Sequence, residues 1–271
     1  MEALAYVFAM LIGVSLGLIG AGGSILTVPV LVYIGHVEPV LATAYSLFVV
    51  GSTALVGGIQ NSFMRLVDFK TAFVFGIPSI LAVYATRAFI MPLIPAEIPV
   101  GWGLSVPKNV GLLAVFAILM IATSISMIRE NGKTHSDKLE GVMNENENHH
   151  LGLVLLEGVG VGALTGLVGA GGGFLIIPAL VLLAGLEMKT AVGTSLIIIA
   201  MKSLIGFVGD IQAGMPIEWL FLLLFTSSSV GGIFIGIWLN RFIDGNRLKK
   251  IFGWFVMIMG FYMIVRETMF R

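Results

Sequence analysis

Apolar runs of membrane-spanning length alternate with short polar segments along most of the chain. No charged residue lies between Glu2 and Glu38, or between Glu218 and Arg241. Both windows exceed the roughly 20 apolar residues that a helix needs to cross a bilayer, so the pattern predicts an all-α integral membrane protein. The predicted helical segments are an interrupted one at about 3–35, spans near 39–62, 69–90 and 108–129, a second interrupted one at 151–184, and spans near 188–210, 216–240 and 247–267.

The composition excludes several classes of protein. With 271 residues, of which 58% are hydrophobic and 11% charged, the chain is too apolar for a soluble domain. Its formal net charge is zero and no basic stretch carries interleaved aromatic residues, so nucleic acid is not an expected partner. The chain has no cysteine, and no cluster of histidines or paired carboxylates predicts a metal site, a cofactor or an enzyme. The lipid bilayer is the expected environment.

A glycine cluster interrupts the first apolar run and returns in the second half of the chain. Residues 17–24 read GLIGAGGS and residues 166–173 read GLVGAGGG, a spacing of 149 positions. A proline follows each copy at the same distance, as Pro29 and Pro178. Glycines at this density break a helix and free backbone N–H groups, which a membrane tolerates only where protein buries them or a cavity receives them.

The internal repeat extends beyond the glycines. Asp68 aligns with Glu218 after a shift of one residue, and both halves end in Arg-Glu. We therefore predict two copies of one unit, residues 1–130 and 151–271, joined by a polar linker at 131–150. Identical residues at the spacing of 149 include the pairs Gly13/Gly162, Glu38/Glu187, Ser46/Ser195, Leu47/Leu196 and Gly57/Gly206.

The path of the interrupted segments decides how the two copies are oriented. If each crosses the membrane once, the lysines and arginines outside the spans divide 7:7, which gives no orientation. If each turns back at its glycines, they divide 10:4, and positive charge marks the cytoplasmic side. The preferred interpretation is thus two inverted repeats, each a broken-helix hairpin plus about three spanning helices, with a cytoplasmic linker and both termini outside. The ten are Arg65, Lys70, Arg129, Lys133, Lys138, Lys189, Arg241, Arg247, Lys249 and Lys250, and the four are Arg87, Lys108, Arg266 and Arg271.

The two helix restarts after the glycines are the predicted substrate site. A restarting helix presents unpaired N–H groups and the positive end of its dipole, and inverted copies bring two such starts to the bilayer midplane. The alternative is that the glycines only allow close helix crossing, and their duplication favours the site. The candidate residues are Gly20, Ala21, Gly22, Gly23 and Ser24 in the first break, Gly169, Ala170, Gly171, Gly172 and Gly173 in the second, and Ser46, Thr53, Ser195 and Lys202 on the following helices.

Lys202 lies in an otherwise uncharged window, residues 191–208. A buried ammonium costs about 2.5 kcal/mol or more on insertion scales, so it needs a partner or a wet cavity. It either binds an anionic substrate, pairs with Glu157 or Asp210, or extends to the surface. Those two carboxylates are candidate groups for proton or cation coupling, with a packing role for Glu157 and a helix-end role for Asp210 as the alternatives.

Several of these features together resemble the TauE/SafE sulfite exporter family of bacterial membrane proteins. They are the duplicated G-L-[IV]-G-A-G-G-[GS] break, the proline after it, an Ala-x-x-x-Ser-Leu helix in each half, and Asp-Ile-Gln at 210–212. The resemblance covers nearly the whole chain except the linker and an insertion at 92–107. It implies export of sulfite, sulfoacetate or a related organosulfonate across the cytoplasmic membrane. The leading hypothesis is a secondary transporter with alternating access between the inverted halves and with proton or sodium coupling. A passive anion channel and a non-transporting partner protein are the alternatives.

Overall fold

A computed structural model describes residues 2–20, 24–90, 93, 97–99, 105–107, 117–118, 121–122, 124–129, 147–168, 173–212, 215 and 217–269. This part of the chain is helical apart from one short antiparallel pair of strands, β1 (Glu97–Pro99) and β2 (Ser105–Pro107). The pair lies in the predicted insertion, outside every predicted span. The prediction of a helical membrane protein is therefore confirmed, and the strand pair is an addition to it.

The described helices follow the predicted segments closely. The helix predicted to start at 151 is described from Glu147, within the predicted linker. The predicted span at 108–129 lies largely outside the described residues, which include only 117–118, 121–122 and 124–129 of it. Residues 131–146 of that linker lie outside the described part of the chain. The helices are α1 (Glu2–Ile19), α2 (Ser24–Tyr33), α3 (Pro39–Phe63), α4 (Phe69–Ala85), α5 (Glu147–Val168), α6 (Gly173–Pro178), α7 (Met188–Gln212), α8 (Trp219–Phe242) and α9 (Gly245–Met269), with π-helical turns extending α4 (Thr86–Ile90) and α6 (Ala179–Leu183).

Three of the described helices are long and apolar enough to cross a membrane. They are Leu41–Phe63 within α3, Met188–Gln212 and Trp219–Phe242. Shorter apolar helical stretches occur at Leu4–Ile19, Phe69–Ala85 and Val154–Leu164. The spanning helices therefore come from both halves of the chain.

Helices α3 and α7 pack against each other in antiparallel directions. The Cβ position of Gly57 lies 3.2 Å from Cδ1 of Leu196, and that of Gly206 lies 3.2 Å from Cδ1 of Leu47. Residue numbers rise along one helix as they fall along the other. Since Leu196 and Gly206 are the sequence repeats of Leu47 and Gly57, one contact is made twice with the halves exchanged.

The helix that opens each half packs on a helix of the other half. Gly13 of α1 lies against the backbone carbonyl of Ser229 in α8, and Gly162 of α5 lies against that of Ser79 in α4. In both pairs a side chain in place of the glycine would overlap the neighbouring backbone. Glycine is therefore what lets each pair of helices approach this closely.

Cross-helix hydrogen bonds fix the direction of the remaining helices. The backbone N–H of Glu218, just before α8, donates to the Tyr45 hydroxyl of α3 at 2.6 Å, and Asn240 near the end of α8 donates to the Leu18 carbonyl of α1 at 2.7 Å. Helices α1, α3 and α8 therefore start at one face of the bundle, which we call the start face, and end at the opposite end face. Helices α4, α5 and α7 run the other way. The backbone N–H of Asp68, just before α4, donates to Thr194 near the start of α7 at 3.0 Å, and Gly158 and Gly162 of α5 lie against Phe75 and Ser79 of α4 in the same order.

The turn after α2 recurs after the π turn of α6. Each contains two backbone hydrogen bonds at equivalent positions and one residue in the left-handed region. Similar sequences 149 positions apart thus adopt the same local structure. The features are Gly35 N–H to Val30 O and Ala184 N–H to Ala179 O, both 3.0 Å, Val37 N–H to Leu31 O at 3.0 Å and Leu186 N–H to Leu180 O at 2.9 Å, with His36 at φ 53° and Gly185 at φ 69°.

Candidate functional site

The first glycine break brings the backbone of α1 against the second half of the chain. Gly20 turns the chain with φ 74°, a conformation that costs a non-glycine residue about 1–2 kcal/mol. Its Cβ position lies 2.8 Å from Ser195 Oγ, 3.0 Å from Ile177 Cδ1 and 3.4 Å from Val192 Cα. The break therefore sits where α1 meets both α6 and α7.

The described residues flank both breaks, and the helices after the glycines are described from the first residue beyond each gap. Ser24 is the first residue of α2, and Gly173 is the first residue of α6. The candidates that lie outside the described residues are Ala21, Gly22 and Gly23 in the first break and Gly169, Ala170, Gly171 and Gly172 in the second.

Replacing Gly20 with alanine is expected to destabilise the protein by about 1–3 kcal/mol, because the new methyl group adds backbone strain and meets Ser195. The measurement is thermal unfolding of purified protein in detergent. Gly209→Ala on α7 is the control, since no atom lies within 4 Å of its Cβ position. Equal melting temperatures for both variants would contradict this account of the break.

The candidate residues on α3 and α7 occupy three levels of the bundle. Thr53 and Lys202 are repeat equivalents and lie near the middle of the antiparallel pair, while Ser46 lies toward the start face and Ser195 toward the end face. Ser46 is seven residues from Thr53 on α3, and Ser195 is seven residues from Lys202 on α7. Seven residues of α-helix span about 10 Å. Gly20 contacts Ser195, so the first break also lies about 10 Å from the middle level, by the same helical rise.

This depth differs from the midplane position expected for the first break. Its physical reason is the length of α1, which runs beside α8 almost to the end of that helix, where Leu18 accepts the Asn240 hydrogen bond. Gly20 therefore lies near the end face. The candidate residues occupy three levels along the α3–α7 pair instead of one cluster.

Two of the candidate hydroxyls are fully buried and bonded within the protein. Ser195 Oγ donates to the Val192 carbonyl at 2.8 Å, and Thr53 Oγ1 donates to Ser229 Oγ at 3.1 Å across the α3–α8 contact. Ser46 is also buried. The Thr53 bond joins α3 to α8, whereas the Ser195 bond lies within α7. Each of these two hydroxyls donates its hydrogen within the protein, so its oxygen lone pairs are the groups that it can offer.

The charged candidates lie on α5 and α7. Lys202 and Asp210 are half-buried on α7, and each takes part in an interaction within the structure. Glu157 is half-buried on α5, and its Oε2 atom is buried with no hydrogen-bond partner among the described residues. Among all the residues that the structure describes, no group of three His, Asp or Glu side chains could hold a metal ion.

Two polar residues near these candidates were not predicted. Asn240 is buried and binds the α1 backbone two residues before Gly20. Ser79 on α4 is 1% exposed, and its Oγ has no hydrogen-bond partner among the described residues. The sequence does pair Ser79 with Ser229, at the shifted spacing of 150 that also pairs Asp68 with Glu218.

Comparison with known proteins supports the family resemblance over nearly the full length of the chain. Residues 5–263 match the family described as "Sulfite exporter TauE/SafE". A "Probable membrane transporter protein" of Xylella fastidiosa is 26% identical over 261 residues, covering 95% of this chain and 92% of that protein. The "Probable membrane transporter protein YunE" of Bacillus subtilis is 27% identical over 280 residues, covering 95% of each chain.

A shorter match and the search of solved structures complete the comparison. The "Probable membrane transporter protein MJ0441" of Methanocaldococcus jannaschii is 35% identical over 119 residues, covering 42% of this chain and 44% of that protein. No solved structure matches the chain. The chain belongs to the TauE/SafE sulfite exporter family of membrane transporters.

Proposed function

We propose that this protein is a secondary transporter that exports a small sulfur-containing anion, such as sulfite, sulfoacetate or a related organosulfonate, across the cytoplasmic membrane. The observation that carries the proposal is the antiparallel packing of α3 and α7, which are sequence repeats of each other. Two equivalent antiparallel helices are related by an axis perpendicular to them, which lies in the plane of any membrane that they span. Inverted repeats of this kind support alternating access in many transporters.

The helix directions support a hairpin at each glycine break. Helices α1 and α3 both run from the start face to the end face, so the chain between them, which contains α2, returns to the start face. In the second half α5 and α7 likewise run in one direction, with α6 between them. This path corresponds to the 10:4 distribution of basic residues, which assigns the end face to the cytoplasm.

Cysteine labelling tests this orientation sharply, because the chain has no cysteine of its own. Glu38 at the start face and Asn246 at the end face are both exposed. In intact cells, an impermeant maleimide is expected to label Glu38→Cys and to label Asn246→Cys only after permeabilisation. Labelling of both positions from the same side would contradict the inverted arrangement, and the reverse result would contradict the assignment of the faces.

The levels of the site suggest how the anion moves. It enters from the cytoplasm at the end face, meets the first break beside Ser195, and reaches Lys202 about 10 Å farther in, by helical rise. The positive ends of α2 and α6 and the Lys202 ammonium supply the favourable electrostatics, and Glu157 and Asp210 are the candidates for ion coupling. The second break, expected near the start face by the repeat, releases the anion outside.

A ligand screen tests the substrate class. Sulfite, sulfoacetate, thiosulfate, sulfate and phosphate are added to purified protein and thermal unfolding is followed. A ligand at about 100 times its dissociation constant stabilises the folded state by about 2.7 kcal/mol, so a true substrate raises the melting temperature in a saturable way. Stabilisation by phosphate but by no sulfur anion would contradict the proposed class. No stabilisation by any anion would contradict an anion site.

A further inference from the structure

Two buried polar atoms without hydrogen-bond partners among the described residues lie on the packed pair α4 and α5. They are Ser79 Oγ and Glu157 Oε2. Buried polar atoms are nearly always paired, so two unpaired ones on one helix pair require an explanation. A carboxylate that is ionised and unpaired in an apolar segment is particularly unfavourable, and taking up a proton removes its charge.

Measured along the helix axes, these two residues lie within about one turn of each other and of Lys202. The Cβ position of Gly162 lies 2.8 Å from Ser79 Cα, and that of Gly158, next to Glu157, lies 3.1 Å from Phe75 Cα. Glu157 on α5 is therefore level with about Phe75 on α4, and Ser79 lies about one turn nearer the start face.

Helix α7 reaches the same region from its other side. The Cβ position of Gly76, one turn before Ser79, lies 3.7 Å from Ile198 Cγ1, one turn before Lys202. Ser79 and Lys202 are thus at one level of the bundle, where α4 packs against α5 and against α7.

The equivalent positions in the other half are occupied by neutral groups. There Thr53 Oγ1 donates to Ser229 Oγ at 3.1 Å, and both residues are fully buried. Phe8 of α1 stands where α5 has Glu157. Helices α4, α5 and α7 therefore carry, within about one turn along their axes, a cation, a carboxylate and a hydroxyl without a partner among the described residues, where the equivalent positions have a completed hydrogen bond and a phenyl ring.

We propose that Glu157 carries the proton that is coupled to anion transport, and that anion binding near Lys202 requires its protonated form. This inference rests on the proposed transport function. Glu157 lies about one turn from the level of Lys202, so its ionised form repels an anion bound at that level, and protonation removes the repulsion. The step forms one O–H bond on the carboxylate with a proton from solution and breaks it on release, without any redox change.

The surrounding groups favour a proton over a metal cation. Hard cations such as Ca²⁺ and Mg²⁺ take about six or more oxygen ligands, whereas a proton needs one carboxylate oxygen. The elements packed against α5 are α4, α6 and their π turns. Their titratable or charged residues are Lys70 and Tyr84 on α4 and Arg87 on its π turn, while α6 and its π turn carry none. Helix α5 itself has Glu147, His149 and His150 in its first turn, and α7, on the other side of α4, has Lys189, Lys202 and Asp210.

The test is the pH dependence of sulfoacetate binding to purified protein from about pH 6 to about pH 8, where few unperturbed side chains titrate. In the wild type the affinity is expected to fall as pH rises, by up to about tenfold per pH unit, the limit for uptake of one proton. Glu157→Gln, which mimics the protonated carboxyl, is expected to keep the low-pH affinity throughout. Glu187→Gln, an exposed carboxylate, is the matched control and should keep the wild-type slope.

The outcomes separate this inference from the proposed function. A pH slope that persists in Glu157→Gln, or a loss of binding at every pH in that variant, would overturn the role of Glu157 while leaving transport intact. Failure of the wild type to bind any anion would overturn the proposed function instead. If the variant does not fold, proton uptake by the wild type on sulfoacetate addition in weak buffer decides the question: uptake supports the inference, and its absence overturns it.

Discussion

Replacing Gly232 with alanine is expected to destabilise the folded protein by about 1–3 kcal/mol, while the same change at the adjacent Gly231 leaves stability unchanged or raises it slightly. The Cβ position of Gly232 overlaps the Met10 carbonyl of α1 and lies 3.0 Å from Val14 N. A backbone cannot move aside as a side chain does, so α1 and α8 must separate. Gly231 is exposed and has no atom within 4 Å of its Cβ position.

The measurement is the melting temperature of each variant in the same detergent, together with the yield of monodisperse protein. The other half provides a second matched pair: Gly162→Ala meets the Ser79 backbone, whereas Gly160→Ala meets nothing within 4 Å. We expect Gly162→Ala to lower the melting temperature and Gly160→Ala to leave it unchanged or raise it slightly. Equal stability of Gly232→Ala and Gly231→Ala would show that α1 does not pack on α8 as described.

Lys202→Gln is expected to weaken anion binding by about ten- to a hundredfold. A hydrogen bond to a charged group contributes about 1.5–3 kcal/mol, and each 1.4 kcal/mol is a factor of ten in affinity. The neutral amide keeps most of the volume of the side chain but loses the field that attracts an anion at the middle level of the α3–α7 pair. The measurement is the dissociation constant of the best anion from the screen.

Lys250→Gln is the control for this prediction, because Lys250 is exposed near the start of α9. Its affinity should match that of the wild type. If Lys202→Gln binds the anion normally but melts at a lower temperature, Lys202 makes a structural interaction, and the anion binds at another level of the α3–α7 pair.

The order and limits of the helices were predictable because membrane solvation imposes them. Charge-free windows such as the one from Glu218 to Arg241 set the spans, and α8 indeed occupies Trp219–Phe242. The paired restarts at Ser24 and Gly173 followed from the duplicated glycines. In each case a local pattern decides the local structure, since a bilayer leaves the backbone few alternatives.

The glycine cluster shows where a local pattern stops being sufficient. Its glycines have two structural roles at different residues: Gly17 allows close crossing, with its Cβ position 2.8 Å from Ile237 N, while Gly20 makes the left-handed turn. The depth of that turn depends on the Leu18–Asn240 contact between halves, which no repeat spacing reveals. The burial of Ser79 Oγ without a partner among the described residues likewise depends on tertiary packing, since α5 lies against Ser79 at Gly162.

Counterflow in proteoliposomes distinguishes alternating transport from passive flow. Purified protein is reconstituted, the vesicles are loaded with unlabelled sulfite or sulfoacetate, and uptake of the labelled anion is followed. We expect saturable uptake that the internal anion accelerates, because one site faces each side in turn. Uptake that rises linearly with concentration and ignores the internal anion would indicate a channel, and no uptake of any sulfur anion would leave only a non-transporting partner protein.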